Sequence, residues 1–182
     1  MRPFVVYALP HSGEELFYQL LLHHPEFENF LPLPTVDYWM QHPLLLEKLH
    51  RQCKRDKAFV VRINRRNRLR QAVSYYGQIN SLGERFSVDI EHLKVLLKFL
   101  DRCRDFQCNS LTEGLSEYRL NFEHLWIDPQ MRMKGFWKMI GRENSIIYPT
   151  RLRVEGRALI QTVSNYEELH RAMVGTRWEE FL

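Results

Sequence analysis

Two short apolar runs, each leading through a loop into an amphipathic helix, constrain this chain more than any other feature. Phe4–Leu9 is one such run, closed by Pro10, and Ala58–Val61 with Ile63 is the other. Runs of this length with no polar alternation are the pattern of strands buried on both faces. After the first, Leu16, Phe17, Leu20 and Leu21 build one helical face up to His24-Pro25; after the second, Leu69, Ala72, Val73 and Tyr76 recur at i, i+3, i+4 and i+7. Two β-loop-α units in succession predict an α/β fold around a small parallel sheet, with ligands beyond the carboxyl ends of the strands.

The rest of the chain fits that frame. Leu93, Leu96, Leu97 and Leu100 predict a further helix, as do Met133, Phe136, Trp137 and Ile140. Glu117–Phe122 is a short strand candidate between them. Asn165 with Glu168 three residues on reads as a capping box opening a last helix, whose apolar side is Leu169 and Met173. With 182 residues, 45% of them hydrophobic, and no repeat or linker, residues 1–182 are expected to form a single domain. No run approaches the roughly 18 apolar residues of a membrane span, and MRPFVVYALP is too short for a secretory signal, so a cytoplasmic or virus-associated protein without a membrane segment is expected. Cys53, Cys103 and Cys108 form no CxxC pair and no metal spacing, which predicts reduced thiols and no zinc site.

Charge is unevenly spread. Residues 48–70 hold ten Lys or Arg against Asp56 alone, a local +9, whereas sixteen basic and twenty-one acidic residues elsewhere leave −5. Such a basic patch concentrates anionic partners: nucleic acid, a membrane surface or a phosphorylated small molecule.

Both candidate loops lie at predicted strand ends. In residues 10–17, PHSGEELF, the amides of Ser12 to Glu14 are expected to lack intrahelical partners and so to form an anion site. The same residues also read as a plain helix start, since Ser12 with Glu15 fits an S-x-x-E capping box. No GxxxxGK is present, so a Walker-type ATPase or kinase loop is unsupported. In residues 62–76, Arg66, Arg70 and Ser74 fall at i, i+4 and i+8, a drift of about 80° that would leave all three on one broad helical face. Two guanidiniums and a hydroxyl suit a phosphate, although a basic run is also what a solvated surface carries.

These loops resemble the PAPS-dependent sulfotransferase family, most closely the bacterial and plant-type carbohydrate sulfotransferases. Pro10-His11-Ser12-Gly13-Glu14-Glu15-Leu16, leading to His24-Pro25, is similar to the family's 5′-phosphosulfate loop, PRSGTT-L. Arg65–Ser74 is similar to its 3′-phosphate motif, an Arg and a Ser eight residues apart, which here are Arg66 and Ser74. Phe122-Glu123-His124-Leu125 with Asp128-Pro129 resembles its YEDL-x-x-DP segment, and SNYEELHRAMVGTRWEEFL its closing helix and tail. The resemblance implies a P-loop-like three-layer α/β fold and transfer of a sulfuryl group from 3′-phosphoadenosine 5′-phosphosulfate (PAPS), without a metal, to a hydroxyl of a carbohydrate or other small acceptor. It also implies site residues. Pro10, His11, Ser12, Gly13 and Glu14 would hold the 5′ side, and Arg66, Arg70 and Ser74 the 3′-phosphate. Arg151 or Arg153, after Pro149-Thr150, would close over the nucleotide. Asp37, in a context like the family's E-Y-F, or Glu28 would be the base. Exposed aromatics at Tyr38 and Trp39 would suit a sugar, although a Trp is more often core.

The chain departs from the family at the first loop. His11 stands where the family has Arg or Lys, and Glu14 and Glu15 replace hydroxyl donors. A degenerate member with a binding or structural role is therefore a second reading. A nucleic-acid-binding domain using residues 48–70 is a third, without a recognisable motif or interleaved aromatics.

Overall fold

The computed structural model describes residues 3–24, 27, 35–108, 114–142, 148 and 158–182. The chain divides into two compact units, one of residues 1–66 and 103–153 and the other of residues 67–102 and 154–182. Glu28, Arg151 and Arg153 lie outside the described residues.

The first unit is built on a parallel sheet in the order β1-β2-β3, from Phe4–Ala8, Phe59–Asn64 and Ser116–Asn121. Val5 pairs with Val60, Tyr7 with Arg62, Arg62 with Arg119, and Asn64 with Asn121. Because side chains alternate along a strand, β2 sends Phe59, Val61 and Ile63 to one face and Val60, Arg62 and Asn64 to the other. The first face carries the larger core. There Val6, Ala8 and Leu120 join Leu16, Phe17, Leu20 and Leu21 of α1 (Glu14–Leu22), Leu125 of α6 (Phe122–Ile127) and Met133, Phe136 and Trp137 of α7 (Pro129–Met139). Phe136 meets Phe4 and Phe17 edge-on, at ring-centroid distances of 5.1 and 5.3 Å, an arrangement that ring quadrupoles favour. Asp128 caps α7 by accepting from the Met131 amide, with Pro129 in the first turn where its missing N–H costs nothing.

The second face is more polar. Tyr7 is fully buried, between Trp39 of α2 (Val36–Gln41) and His50 of α3 (Pro43–Arg55), and its carbonyl accepts from Gln107, just beyond α5 (Ile90–Phe106). Arg62 is 6% exposed, lies 3.4 Å from a Glu117 carboxylate oxygen and donates to the Cys108 sulfur at 3.2 Å. A buried guanidinium is tolerated only with such company.

The second unit has a core of its own. Leu69, Ala72, Val73 and Tyr76 of α4 (Arg68–Ile79) pack with Leu93, Leu96, Leu97 and Leu100 of α5, Leu159 of α8 (Leu159–Thr162), and Leu169 and Met173 of α9 (Tyr166–Met173). Asp101 gathers Arg68, Arg177 at 2.5 Å and the Trp178 indole N–H at 3.4 Å.

The α/β class and the small parallel sheet agree with the sequence expectation, and no helix among the described residues is long and apolar enough to cross a membrane. Two local expectations fail. The basic run is not one continuous exposed patch, because Arg62 within it is interior and held by Glu117. Asn165 does not cap α9 through its side chain, because its carbonyl accepts from the Val88 amide and its amide group donates to Val88 and to Glu168. Trp39 is core, 8% exposed, while the exposed Tyr38 is stacked by His42 at 4.1 Å.

Burial also sets a pH limit. It pushes the Cys103 thiol up to about 12, helped by the negative charge of Asp37, and raises Cys53, Tyr7, Tyr118 and Tyr148 from their ordinary values. These acids keep their protons in the native state after the unfolded chain has lost them, so the native state binds more protons and stability falls as pH rises. The loss begins near the ordinary thiol value of 9.0 and runs through about 12 for Cys103. The melting temperature is expected to drop steadily between about pH 8 and about pH 11, as measured by circular dichroism; a flat profile would contradict these burials.

Candidate functional site

A parallel sheet delivers all its carboxyl-end loops to one edge, and here three of them meet. After β1 the chain turns at Leu9-Pro10, with the Ser12 amide donating to the Leu9 carbonyl at 3.0 Å. His11 (φ 56°) and Gly13 (φ 97°) both take left-handed backbone conformations. Gly13 is required for a second reason, since a Cβ there would overlap the Phe122 ring. Glu14 folds back, and its Oε1 accepts from the His11 amide at 3.1 Å.

After β2, Arg65 lays its guanidinium over the Phe122 ring, 4.7 Å from the centroid, with Nη1 3.5 Å from the His11 carbonyl oxygen. The next amide, that of Arg66, donates to both carboxylate oxygens of Glu123, at 2.9 and 3.0 Å. After β3, Phe122 therefore sits between the first two loops and Glu123 closes onto the second. The Ser12 hydroxyl oxygen and Glu14 Oε2 are buried and have no hydrogen-bond partner among the described residues.

Pro10, His11, Ser12, Gly13, Glu14 and Arg66 thus share the strand-end edge of the first unit. Their roles differ from expectation in detail. The helix start is not a Ser12–Glu15 capping box: Ser12 makes no cap hydrogen bond, Glu15 is exposed, and Glu14 makes the reach-back. The Ser12 amide is spent within its own turn, which removes one of the three donors expected to face a ligand.

Arg66 precedes the helix rather than lying on it. The α4 cap is Asn67, whose side chain accepts from the Arg70 amide at 2.9 Å, so the shared helical face holds for Arg70 and Ser74 but not for Arg66. Arg70 and Ser74 belong to the second unit, where Ser74 is exposed.

Asp37, in the first turn of α2, has one carboxylate oxygen buried with no partner among the described residues, and its charge reaches Cys103. Nearby, His42 has its Nδ1 engaged with the Tyr38 carbonyl oxygen at 2.8 Å. Among the described residues, no three of His, Cys, Asp and Glu assemble as a metal-holding group.

Sequence reasoning missed Arg65, Phe122 and Glu123 as partners. The signal was in the register: Asn64 pairs with Asn121, so Arg66 and Glu123 each stand two residues past paired strand ends.

Comparison of the chain with family models, curated proteins and solved structures found no match.

Gly13→Ala is expected to cost about 1–3 kcal/mol from its positive φ, plus the clash with Phe122. In a Phe122→Ala background the clash disappears and only the backbone cost remains. Urea denaturation of the double-mutant cycle measures both, and equal costs in the two backgrounds would refute the contact.

Proposed function

We propose that this chain is a sulfotransferase-like protein that moves a sulfuryl group from PAPS to a hydroxyl of a carbohydrate or other small acceptor. The observation that carries the reading is the meeting of the loops at 10–14, 64–66 and 121–123 on one strand-end edge, with a buried Ser12 hydroxyl in the first that has no partner among the described residues. The family resemblance supplies the chemistry and this edge is a place for it.

PAPS would supply a sulfuryl group already activated by its bond to phosphate. That S–O bond breaks as a new one forms to the acceptor oxygen, whose proton must go to a base. Asp37 is proposed to take that proton, with Glu28 as the other carboxylate. The Ser12 hydroxyl and Gly13 amide face the 5′ side, where negative charge grows on the departing phosphate oxygen, and His11 adds a cation in its protonated form. Arg66 is proposed as a 3′-phosphate contact, and separately Arg70 and Ser74 on the second unit; Arg151 and Arg153 keep the closing role the resemblance gives them.

One observation favours a second reading. The His11 and Arg66 amides are already taken by Glu14 and Glu123, which suits a degenerate member of the same fold that binds or supports another molecule without turnover.

Thermal stability with 3′-phosphoadenosine 5′-phosphate decides between them at the binding step. Ligand at about 100 times its Kd adds about 2.7 kcal/mol, or roughly 5–11 °C for a chain of this size. The shift is expected to exceed that with AMP and to vanish in Arg66→Ala. No shift at millimolar ligand would overturn the nucleotide reading.

A further inference from the structure

We infer that Glu14 and Glu123 are internal counter-ligands that decide which anions the strand-end edge admits: free sulfate or phosphate is refused, and a larger oxyanion ester with contacts elsewhere displaces them. The inference rests on the reading of this edge as an oxyanion site. It gives a role to the negative charge of Glu14 and Glu123, which that reading leaves unexplained.

A backbone N–H held by both oxygens of a carboxylate, as the Arg66 amide is held by Glu123 at 2.9 and 3.0 Å, is in the pose that a sulfate or phosphate edge would take. The His11 amide is held the same way by one oxygen of Glu14. Neither carboxylate is a cap on its own helix in the ordinary sense. Glu123 reaches from the end of β3 to the loop after β2, and Glu14 passes over the N-cap Gly13 to His11.

A second observation points to a donor left for a ligand. The Ser12 side chain is fully buried, and its hydroxyl has no partner among the described residues. Buried polar atoms ordinarily find partners, and a hydroxyl at an anion-binding turn is a donor for an oxyanion. The charges argue in the same direction. Arg65 and Arg66 are offset by Glu14 and Glu123, so an incoming dianion meets a nearly neutral edge and must push aside two like charges to reach the His11 and Arg66 amides. A small anion brings nothing to offset that cost. An ester with a base, sugar or second phosphate brings contacts outside the edge.

The experiment uses the full chain, with inorganic sulfate as the first probe and 3′-phosphoadenosine 5′-phosphate as the second, both titrated by isothermal calorimetry. Glu14→Gln and Glu123→Gln keep shape and hydrogen-bond acceptance while removing the charge. Each is expected to tighten sulfate binding about tenfold, and the pair more, as loss of a like charge a few ångströms away requires. Glu180→Gln, an exposed acid in the closing turn, controls for net charge and is expected to change sulfate affinity little. Glu14→Thr serves as a second variant if Glu14→Gln does not fold.

Sulfate affinity unchanged in both folded variants, or raised equally by Glu180→Gln, overturns the inference even if the wild type binds the nucleotide. Sulfate affinity that rises as expected, while the nucleotide binds no better than sulfate in every variant, supports the exclusion of small anions by Glu14 and Glu123 but overturns both the admission of this ester and the nucleotide reading.

Discussion

All three strands of the first unit run the same way, and the site depends on that one constraint. Parallel pairing cannot be closed by hairpins, so each strand must leave the sheet at its carboxyl end and return by way of helices. The loops beginning at Leu9, Asn64 and Asn121 are thereby set side by side. β2 lies in the middle, with Phe59, Val61 and Ile63 buried in the main core, and its apolar pairing with β1 and β3 holds the register that brings Arg66 opposite Glu123. A one-residue slip would turn Arg62 into the aromatic core and Ile63 toward Glu117.

Inside that frame, local chemistry selects what the edge can do. Phe122 is the wedge: it forbids any side chain at position 13, gives the Arg65 guanidinium a face to lie on, and starts the helix that presents Glu123. Glu14 and Glu123 then close the His11 and Arg66 amides. The proposed anion site therefore lies at loops whose own carboxylates already hold two of the amides.

Much of this was legible in the sequence, and the limits have physical causes. β1, β2, α1, α4 and the α/β class followed from continuous apolar runs and helical spacing, because burial on both faces leaves an unambiguous pattern. The helix Pro43–Arg55 was not visible, since Leu44 and Leu45 face solvent and only Leu46 and Cys53 are buried, which masks the 3.6-residue stripe. Charge counting along residues 48–70 treated proximity in sequence as one exposed surface, and the burial of Arg62 on β2 undid it. The capping box at Ser12 failed because a glutamate one position earlier reached the His11 amide first. At Asn165 a long-range partner, Val88, outcompeted the local one. Contacts such as Arg66 with Glu123 require strand register, which periodicity does not supply.

The most direct test of the strand-end edge as a ligand site is the amide spectrum of the isotopically labelled chain, recorded while 3′-phosphoadenosine 5′-phosphate is added. The account predicts saturable shifts at the His11, Gly13 and Arg66 amides, as the ligand replaces the Glu14 and Glu123 carboxylates. Shifts confined to the exposed cations of Pro43–Arg55, with those three amides unmoved at saturation, would contradict it.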